Sequence, residues 1–412
     1  MEIKQNGEDM IEGYCDEKFN DARKIFETSL KSGFELGASV CVEIDGKKVL
    51  DLWGGYLDQE KTRYWEKDTL VNVFSSTKGI AAICLLQLVE KGLIDIERPV
   101  SCYWPEFSQN GKENIPVKYL FCHKSGLCGV SKPLPAGAYC EWDVICNELA
   151  KQKPLWEPGT AHGYHAITYG HLIGELLRRV DGRTIGQYFK KEIAEPLNLD
   201  FWIGLPDSEF ERVSDIYPSK PGPLQFLFPL ISKLPRFMIP GRAKFLIDFS
   251  DTSKPVGAAF NNPPISSQLG MEANTKKWRN AEIPAANGHG TARSIAKLYS
   301  VLANGGSFEG VHVLNPETIE IGRQTFSDGK DLVLGGMRTR FGLGFMLGTE
   351  NISMGPNPNS FGHGGAGGSL GFSDPDNNIS LGFVMNQMHP GITAWKTATD
   401  VASSIYKTLS II

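Results

Sequence analysis

Ser75-Ser76-Thr77-Lys78 stands at the head of the apolar run Gly79-Ile80-Ala81-Ala82-Ile83-Cys84-Leu85-Leu86-Gln87-Leu88-Val89. The run reads as a helix, and residues at i and i+3 share a helical face, so Lys78 can bring its amine to the Ser75 hydroxyl. A serine hydroxyl becomes a nucleophile when a neighbouring base takes its proton. A lysine is such a base when desolvation or a second cation lowers its pKa, and a dry cleft provides the first of these. Taken alone, the spacing equally fits a Ser cap followed by a solvated lysine in the first helical turn.

Two further segments carry groups that could complete acyl chemistry. The turn Trp156-Glu157-Pro158-Gly159-Thr160-Ala161-His162-Gly163-Tyr164-His165-Ala166 precedes an amphipathic helix from Ile167 to Val180 and delivers a phenol, Tyr164, at its mouth. Beside a lysine-activated serine a phenol can shuttle protons; the alternative is a buried aromatic with a satisfied hydroxyl. Phe361-Gly362-His363-Gly364-Gly365-Ala366-Gly367-Gly368-Ser369 offers glycine backbone that a substrate can approach closely, with N–H groups able to stabilise an oxyanion. Gly367-Gly368-Ser369-Leu370-Gly371 also satisfies G-x-S-x-G, but that nucleophile elbow needs a strand before and a helix after it. Glycines precede this one and a turn, Ser373 to Asn378, follows. His162, His165 and His171 cluster without a carboxylate or thiolate to complete a metal set, and no metal is expected.

The elements that must position these groups come from both ends of the chain. Gly37 to Ile44 and Lys47 to Trp53 alternate around Asp45-Gly46, a strong hairpin signal. A helical pattern from Phe19 to Ser32 precedes the hairpin, and helices, turns and prolines dominate the middle of the chain. Strand signals return at Phe341 to Met346 and at Ile379 to Met385, followed by a closing helix from Thr393 to Leu409. The pattern predicts an α+β fold: an antiparallel sheet flanked by N- and C-terminal helices, with an inserted, mostly helical lobe. The expected division is 1–80 with 290–412 for the sheet lobe and 81–289 for the helical one, with Ser75 at their junction. Within the latter, 223–249 is apolar, broken by prolines and edged with basic residues. Three readings compete for it: a lid or wall over an acyl pocket, packing between the lobes, or contact with a membrane surface.

The composition excludes several classes. At 412 residues and 41% hydrophobic content the chain can bury a substantial core. With 47 acidic and 42 basic residues it lacks the basic excess of a nucleic-acid partner. No uninterrupted stretch of about 18 apolar residues occurs, so no transmembrane helix is expected. The polar, acidic start Met1 to Asp9 is unlike a targeting peptide, and the expectation is a cytoplasmic protein. Eight cysteines without C-x-x-C spacing fit reduced thiols, although five fall between Cys102 and Cys146.

Together, Ser75-Ser76-Thr77-Lys78, Pro158-Gly159-Thr160 with Tyr164, and His363-Gly364-Gly365 resemble, in order and rough spacing, the three active-site elements of the penicillin-recognising serine enzymes. Leu120-Phe121-Cys122-His123-Lys124-Ser125-Gly126-Leu127 is similar to the family's H-x-S-G-L segment. Pro284-Ala285-Ala286-Asn287-Gly288 lies ahead of a helix from Thr291 to Leu302, and the likeness runs over about residues 20 to 405. It looks closest to the class C-like, or family VIII, carboxylesterases and to the animal β-lactamase-domain proteins. The resemblance implies a β-lactamase/transpeptidase-like fold and an acyl-enzyme on Ser75. Lys78 would be the hydrogen-bond partner and proton acceptor and Tyr164 the acid/base, with the choice of true base between them left open, and the Ser75 and Ala366 amides would be the oxyanion hole; His363, Gly364, Gly365 and Asn287 would contact substrate. Two departures matter: Tyr164-His165-Ala166 replaces Y-x-N, and His363-Gly364-Gly365 replaces K-T-G. The first removes an amide anchor and the second a permanent cation, so both favour a neutral ester over a penicillin. The expectation is a serine hydrolase without cofactor, acting on small or medium acyl esters. An amide hydrolase is the alternative within enzymes, a self-associating scaffold the alternative outside them, and the oligomeric state is left open.

Overall fold

The Asp45-Gly46 turn closes a hairpin because both residues adopt positive φ, 50° and 71°, the backbone that matches the twist of adjoining strands. It joins Gly37–Ile44 to Lys47–Gly55, and Cys41 pairs with Asp51 on one side and with Gly382 on the other. In this computed structural model the described residues are 2–3, 10–219, 247–263, 272–391, 393 and 395–411. Their strands form a ten-stranded sheet in which every neighbouring pair is antiparallel. Its spatial order is Glu2–Ile3, Ile11–Cys15, Lys47–Gly55, Gly37–Ile44, Ile379–Met385, Leu370–Asp374, Phe361–Gly364, Met346–Leu347, Arg338–Phe341 and Ser327–Lys330. Both ends of the sequence therefore meet at the centre of one sheet.

Gly37–Ile44 and Ile379–Met385 are buried at consecutive positions instead of alternating, because helices cover both faces. The Asn20–Lys31 and Lys396–Thr408 helices pack on each other and against the sheet, and the Ala292–Ala303 helix crosses Gly37–Ile44 and Ile379–Met385. That last helix sits close because position 382 is glycine: a Cβ there would stand 2.1 Å from Ala292 O and 2.7 Å from Ala296 N.

The run after Lys78 is the helix Thr77–Glu90, and every residue from Thr77 to Leu88 is buried. A helix that is apolar all round belongs inside a protein. This one packs between the Thr168–Asp181 helix and the Phe361–Gly364 strand. A small sheet of Val71–Asn72, Gly288–Gly290 and Phe201–Ile203 fastens the segment leading to Ser75 onto the 285–290 stretch. The strand expected from Phe341 to Met346 is divided into Arg338–Phe341 and Met346–Leu347. The chain bends at Gly344 (φ 84°), where a Cβ would meet Tyr169 Oη at 2.3 Å and Ala82 Cβ at 2.4 Å. Close packing on the central helix thus overrides strand propensity. No disulfide joins any two of the described cysteines, and among the described residues no helix is long and apolar enough to cross a membrane. Of the segment read as a lid or wall, residues 223–246 lie outside the described residues.

A side chain at position 382 has to displace the Ala292–Ala303 helix. Gly382→Val is expected to destabilise the protein by about 1–3 kcal/mol, the cost of overpacking. A urea titration that leaves the midpoint unchanged would show that the helix is not held this tightly.

Candidate active site

Between residues 69 and 88 Ser75 alone is not fully buried. It occupies a turn tied down on three sides. Phe74 adopts positive φ (45°), uncommon for a bulky residue and costing about 1–2 kcal/mol. The Thr77 hydroxyl donates to Phe74 O (2.5 Å) and accepts from Gly288 N (2.9 Å), and Val73 N donates to Gly288 O (2.8 Å). On the other flank Ser369 Oγ donates to Val73 O (2.7 Å) and pairs with Ser76 Oγ (3.0 Å). Ser369 of the G-x-S-x-G run is thus a buried brace, followed by the strand Leu370–Asp374 instead of the helix that a nucleophile elbow requires.

Lys78 is wholly buried, so the solvated alternative does not hold. Its Nζ lies 3.1 Å from Ser75 Oγ, 2.7 Å from Ala166 O and 2.9 Å from Ala285 O, and 4.7 Å from the centre of the Tyr164 ring. Among the described residues no carboxylate pairs with it, and burial holds its pKa well below the ordinary lysine value. The two carbonyls can only accept, so in the neutral amine they take its two hydrogens, and the lone pair is left facing a hydroxyl that can donate. Ala166 and Ala285, apolar in side chain, orient the base through their backbones.

The Tyr164 ring lies beside Lys78, and burial, opposed in part by the Ser75 side chain, holds its phenol above the usual range. Its backbone is fixed by Asp331, a residue that sequence reasoning missed. One oxygen of this buried carboxylate accepts from the amides of Tyr164 (3.0 Å), Val333 (2.8 Å) and Leu334 (3.0 Å), and the other accepts from Thr339 Oγ1 (3.1 Å). Asp331 follows Tyr164 by 167 residues, and nothing local in the sequence marks the contact. Behind Tyr164 lies His123, itself at positive φ (63°), whose Nδ1 accepts from His165 N at 3.1 Å. His165 Nδ1 donates to Gly163 O (2.7 Å) and its other nitrogen pairs with Ser125 Oγ (2.8 Å). His162 pairs with Thr339 Oγ1 (2.8 Å) and His171 with Tyr139 O (3.1 Å), so the histidine cluster is spent on structural bonds.

From residue 360 to 374 Ala366 is the one position not fully buried. Neither the Ser75 nor the Ala366 amide has a hydrogen-bond acceptor among the described residues. The other residues expected at substrate all have protein neighbours. His363 is buried, its Nδ1 donates to Gly364 O (2.8 Å), and its ring packs 6.1 Å from that of Tyr164. Burial, with Lys78 nearby, lowers its pKa to about 3, so it supplies no cation. Gly364 and Gly365 admit protein where substrate was expected: a Cβ on the first would fall 2.0 Å from the Trp395 ring, and on the second 2.2 Å from Val73 O. Asn287 is wholly buried, with its amide spent on backbone: Ile283 N donates to its oxygen (2.8 Å) and its nitrogen donates to Trp278 O (2.9 Å) and Ala281 O (2.5 Å). It shapes the loop that carries Ala285 O to Lys78.

A hydroxyl, a buried amine of lowered pKa, a phenol and two amides without acceptors among the described residues are the kinds of group that acyl transfer uses. The chain matches the beta-lactamase family over residues 22–402. It is 30% identical to the esterase/beta-lactamase LipL of Mycobacterium tuberculosis over 91% of this chain and 83% of the relative. Among solved structures it is similar to a family VIII carboxylesterase, with 37% identity, a TM-score of 0.84, and coverage of 97% of this chain and 99% of that one. It is also similar to a penicillin-binding-protein homologue from Caulobacter crescentus, with 35% identity, a TM-score of 0.84, and coverage of 97% and 99%.

The depressed pKa of Lys78 has a thermodynamic signature. Between its folded pKa and the unfolded value near 10.5 the unfolded chain binds more protons, so this residue's contribution to stability rises with pH across that window. The unfolding free energy of wild type minus that of Lys78→Met is expected to climb with pH, with a limiting slope of about 1.4 kcal/mol per unit. Urea titrations from neutral pH towards 10 measure it, and a flat difference would mean that Lys78 is charged in the folded protein.

Proposed function

The chain belongs to the beta-lactamase family and is a serine hydrolase, and from that premise we propose that it is a carboxylesterase acting on small or medium acyl esters through an acyl-enzyme on Ser75. The observation that carries this reading is the Lys78 amine, buried with no counter-ion among the described residues and 3.1 Å from the Ser75 oxygen. Ser75 Oγ attacks the ester carbonyl as its proton passes to the Lys78 lone pair. Charge developing on the carbonyl oxygen is met by the amides of Ser75 and Ala366, donors already in place and therefore effective in a site that excludes water. Tyr164, beside Lys78, hands a proton to the departing alkoxide and regains one from the attacking water, and Lys78 returns its proton to Ser75 Oγ as the acid leaves.

An ester is favoured over a β-lactam by charge. Position 363 carries a neutral imidazole, and Ala166 presents no side-chain amide, so neither supplies a partner for the carboxylate or the amide of a penicillin. The name of the family VIII carboxylesterase points the same way, while LipL is named for both esterase and beta-lactamase activity. The domain division read from the sequence, 1–80 with 290–412 against 81–289, is consistent with this reading, since Ser75 and Ala366 belong to the first part and Tyr164 to the second.

Intact-mass spectrometry after a fluorophosphonate and, separately, after a penicillin tests the proposal. Wild type is expected to gain one phosphonyl adduct that is absent in Ser75→Ala and retained in Ser369→Ala, and to gain none from penicillin. A stable penicilloyl adduct would move the reading to the amide-hydrolysing branch of the family. Loss of the phosphonyl adduct in Ser369→Ala alone would overturn the site. Steady-state hydrolysis of p-nitrophenyl butyrate is expected to fall by about a thousand-fold or more in Ser75→Ala and by roughly 100- to 10,000-fold in Tyr164→Phe.

A further inference from the structure

The turn that presents the Ala366 amide is made almost entirely of glycine and has few bonds of its own: Gly365 N donates to Ser369 O (2.7 Å) and Gly368 N to Gly365 O (3.3 Å). Glycine backbone is the least restricted of all. Oxyanion donors contribute only when they stand within about 0.5 Å of the productive position. The turn is therefore fixed from outside. Trp395 Nε1 donates to Gly365 O (3.0 Å), and His389 N donates to Gly367 O (2.9 Å). Gly367, at φ 85°, seats against Met388, where a Cβ would come within 2.7 Å of Cγ.

His389 is in turn held by its side chain. Its ring lies face to face with Phe34, with centres 4.0 Å apart and planes 8° from parallel, and its Nε2 meets Glu35 Oε2 at 3.0 Å. The Glu35 side chain is only 1% exposed, and its second oxygen accepts from Thr397 Oγ1 at 2.7 Å. A carboxylate is costly to bury unless its partners satisfy it. Here the partners are the residue that grips the oxyanion turn and the first turn of the closing helix. Glu35 and His389 lie 354 positions apart in sequence, and neither bonds to Ser75, Lys78 or Tyr164.

We propose that Glu35 and His389 form a clasp of positioning residues that holds the glycine turn so that the Ala366 amide points into the oxyanion hole. Glu35 fixes the imidazole, the imidazole fixes its own backbone N–H, and that N–H fixes Gly367 O beside Ala366. The inference rests on the reading of Ser75 and Ala366 as the oxyanion hole.

The test compares Glu35→Gln, His389→Ala and His389→Gln with wild type, with Glu175→Gln as a control. Glu175 is an equally buried carboxylate, bound to Arg178, Arg179 and Trp142. Three quantities are read: the rate constant for phosphonylation by a fluorophosphonate, kcat and KM for p-nitrophenyl butyrate, and the melting temperature. Glu35→Gln and His389→Ala are expected to lose roughly ten-fold or more in kcat and in phosphonylation rate, with KM changed by no more than about two-fold. His389→Gln, which keeps a donor for Glu35, should recover most of the loss, and Glu175→Gln should melt earlier without losing rate. Wild-type rates in folded Glu35→Gln and His389→Ala, or a change confined to KM, would overturn the clasp while leaving the Ser75 reading intact. No phosphonylation of wild type would overturn both. Should Glu35→Gln fail to fold, His389→Ala decides, because that side chain is partly open to solvent.

Discussion

A buried lysine with no anion beside it among the described residues is the constraint on which the rest of the structure turns. Burying an amine in apolar surroundings favours its neutral form, and a carboxylate within reach would undo that by holding the proton. The surroundings of Lys78 meet both conditions. Its helix is buried residue after residue from Thr77 to Leu88, and its nearest oxygens besides Ser75 Oγ are two peptide carbonyls, Ala166 O and Ala285 O. Carbonyls take hydrogens from an amine without stabilising a full positive charge as a carboxylate does. The cost falls on folding, which must place segments ending at 78, 166 and 285 around one nitrogen.

Buried polar side chains do that placing. Asn287 closes the loop behind Ala285, Asp331 gathers three amides around Tyr164, Thr77 links the Ser75 turn to Gly288, and Ser369 links it to Val73. Each is satisfied by backbone groups, and for that reason each can be buried. These residues resemble active-site groups in type but act one step removed. They fix the main chain, and the main chain presents what the chemistry uses: two carbonyls for the amine and two amides for the oxyanion.

This division explains what could be read from the sequence. The hairpin at Asp45-Gly46, the apolar helix after Lys78 and the closing helix are local patterns, and each appears within a few residues of its expected limits. Ser75, Lys78 and Tyr164 were legible because they sit at fixed offsets from a helix start or a Pro-Gly turn. The split of the expected 341–346 strand was not, since it depends on Gly344 meeting Tyr169 and Ala82 from distant parts of the chain. His363, Gly364, Gly365 and Asn287 were legible as unusual, but the protein groups packed against them were not. A glycine that admits a ligand and a glycine that admits a tryptophan ring look the same in sequence. Asp331 left no signal, because its partner lies 167 residues away.

The neutrality of the base and the choice of substrate are one constraint seen from two sides. His123, His165 and His363 surround Lys78, and burial keeps each from ionising near neutral pH. No fixed cation among them faces an incoming carboxylate. An anionic substrate entering this site would pay for its own desolvation and would also draw a proton onto Lys78, because a negative charge at close range raises an amine's pKa. The base would be quenched by the molecule it was to act on. A permanent cation at position 363 would offset that effect, both by pairing with the anion and by pushing the Lys78 pKa down. The imidazole there, held un-ionised and hydrogen-bonded to Gly364, does neither. On the reading proposed, a neutral ester leaves the amine's lone pair as it was, and a site that keeps its lysine basic through dryness alone suits substrates that bring in no charge.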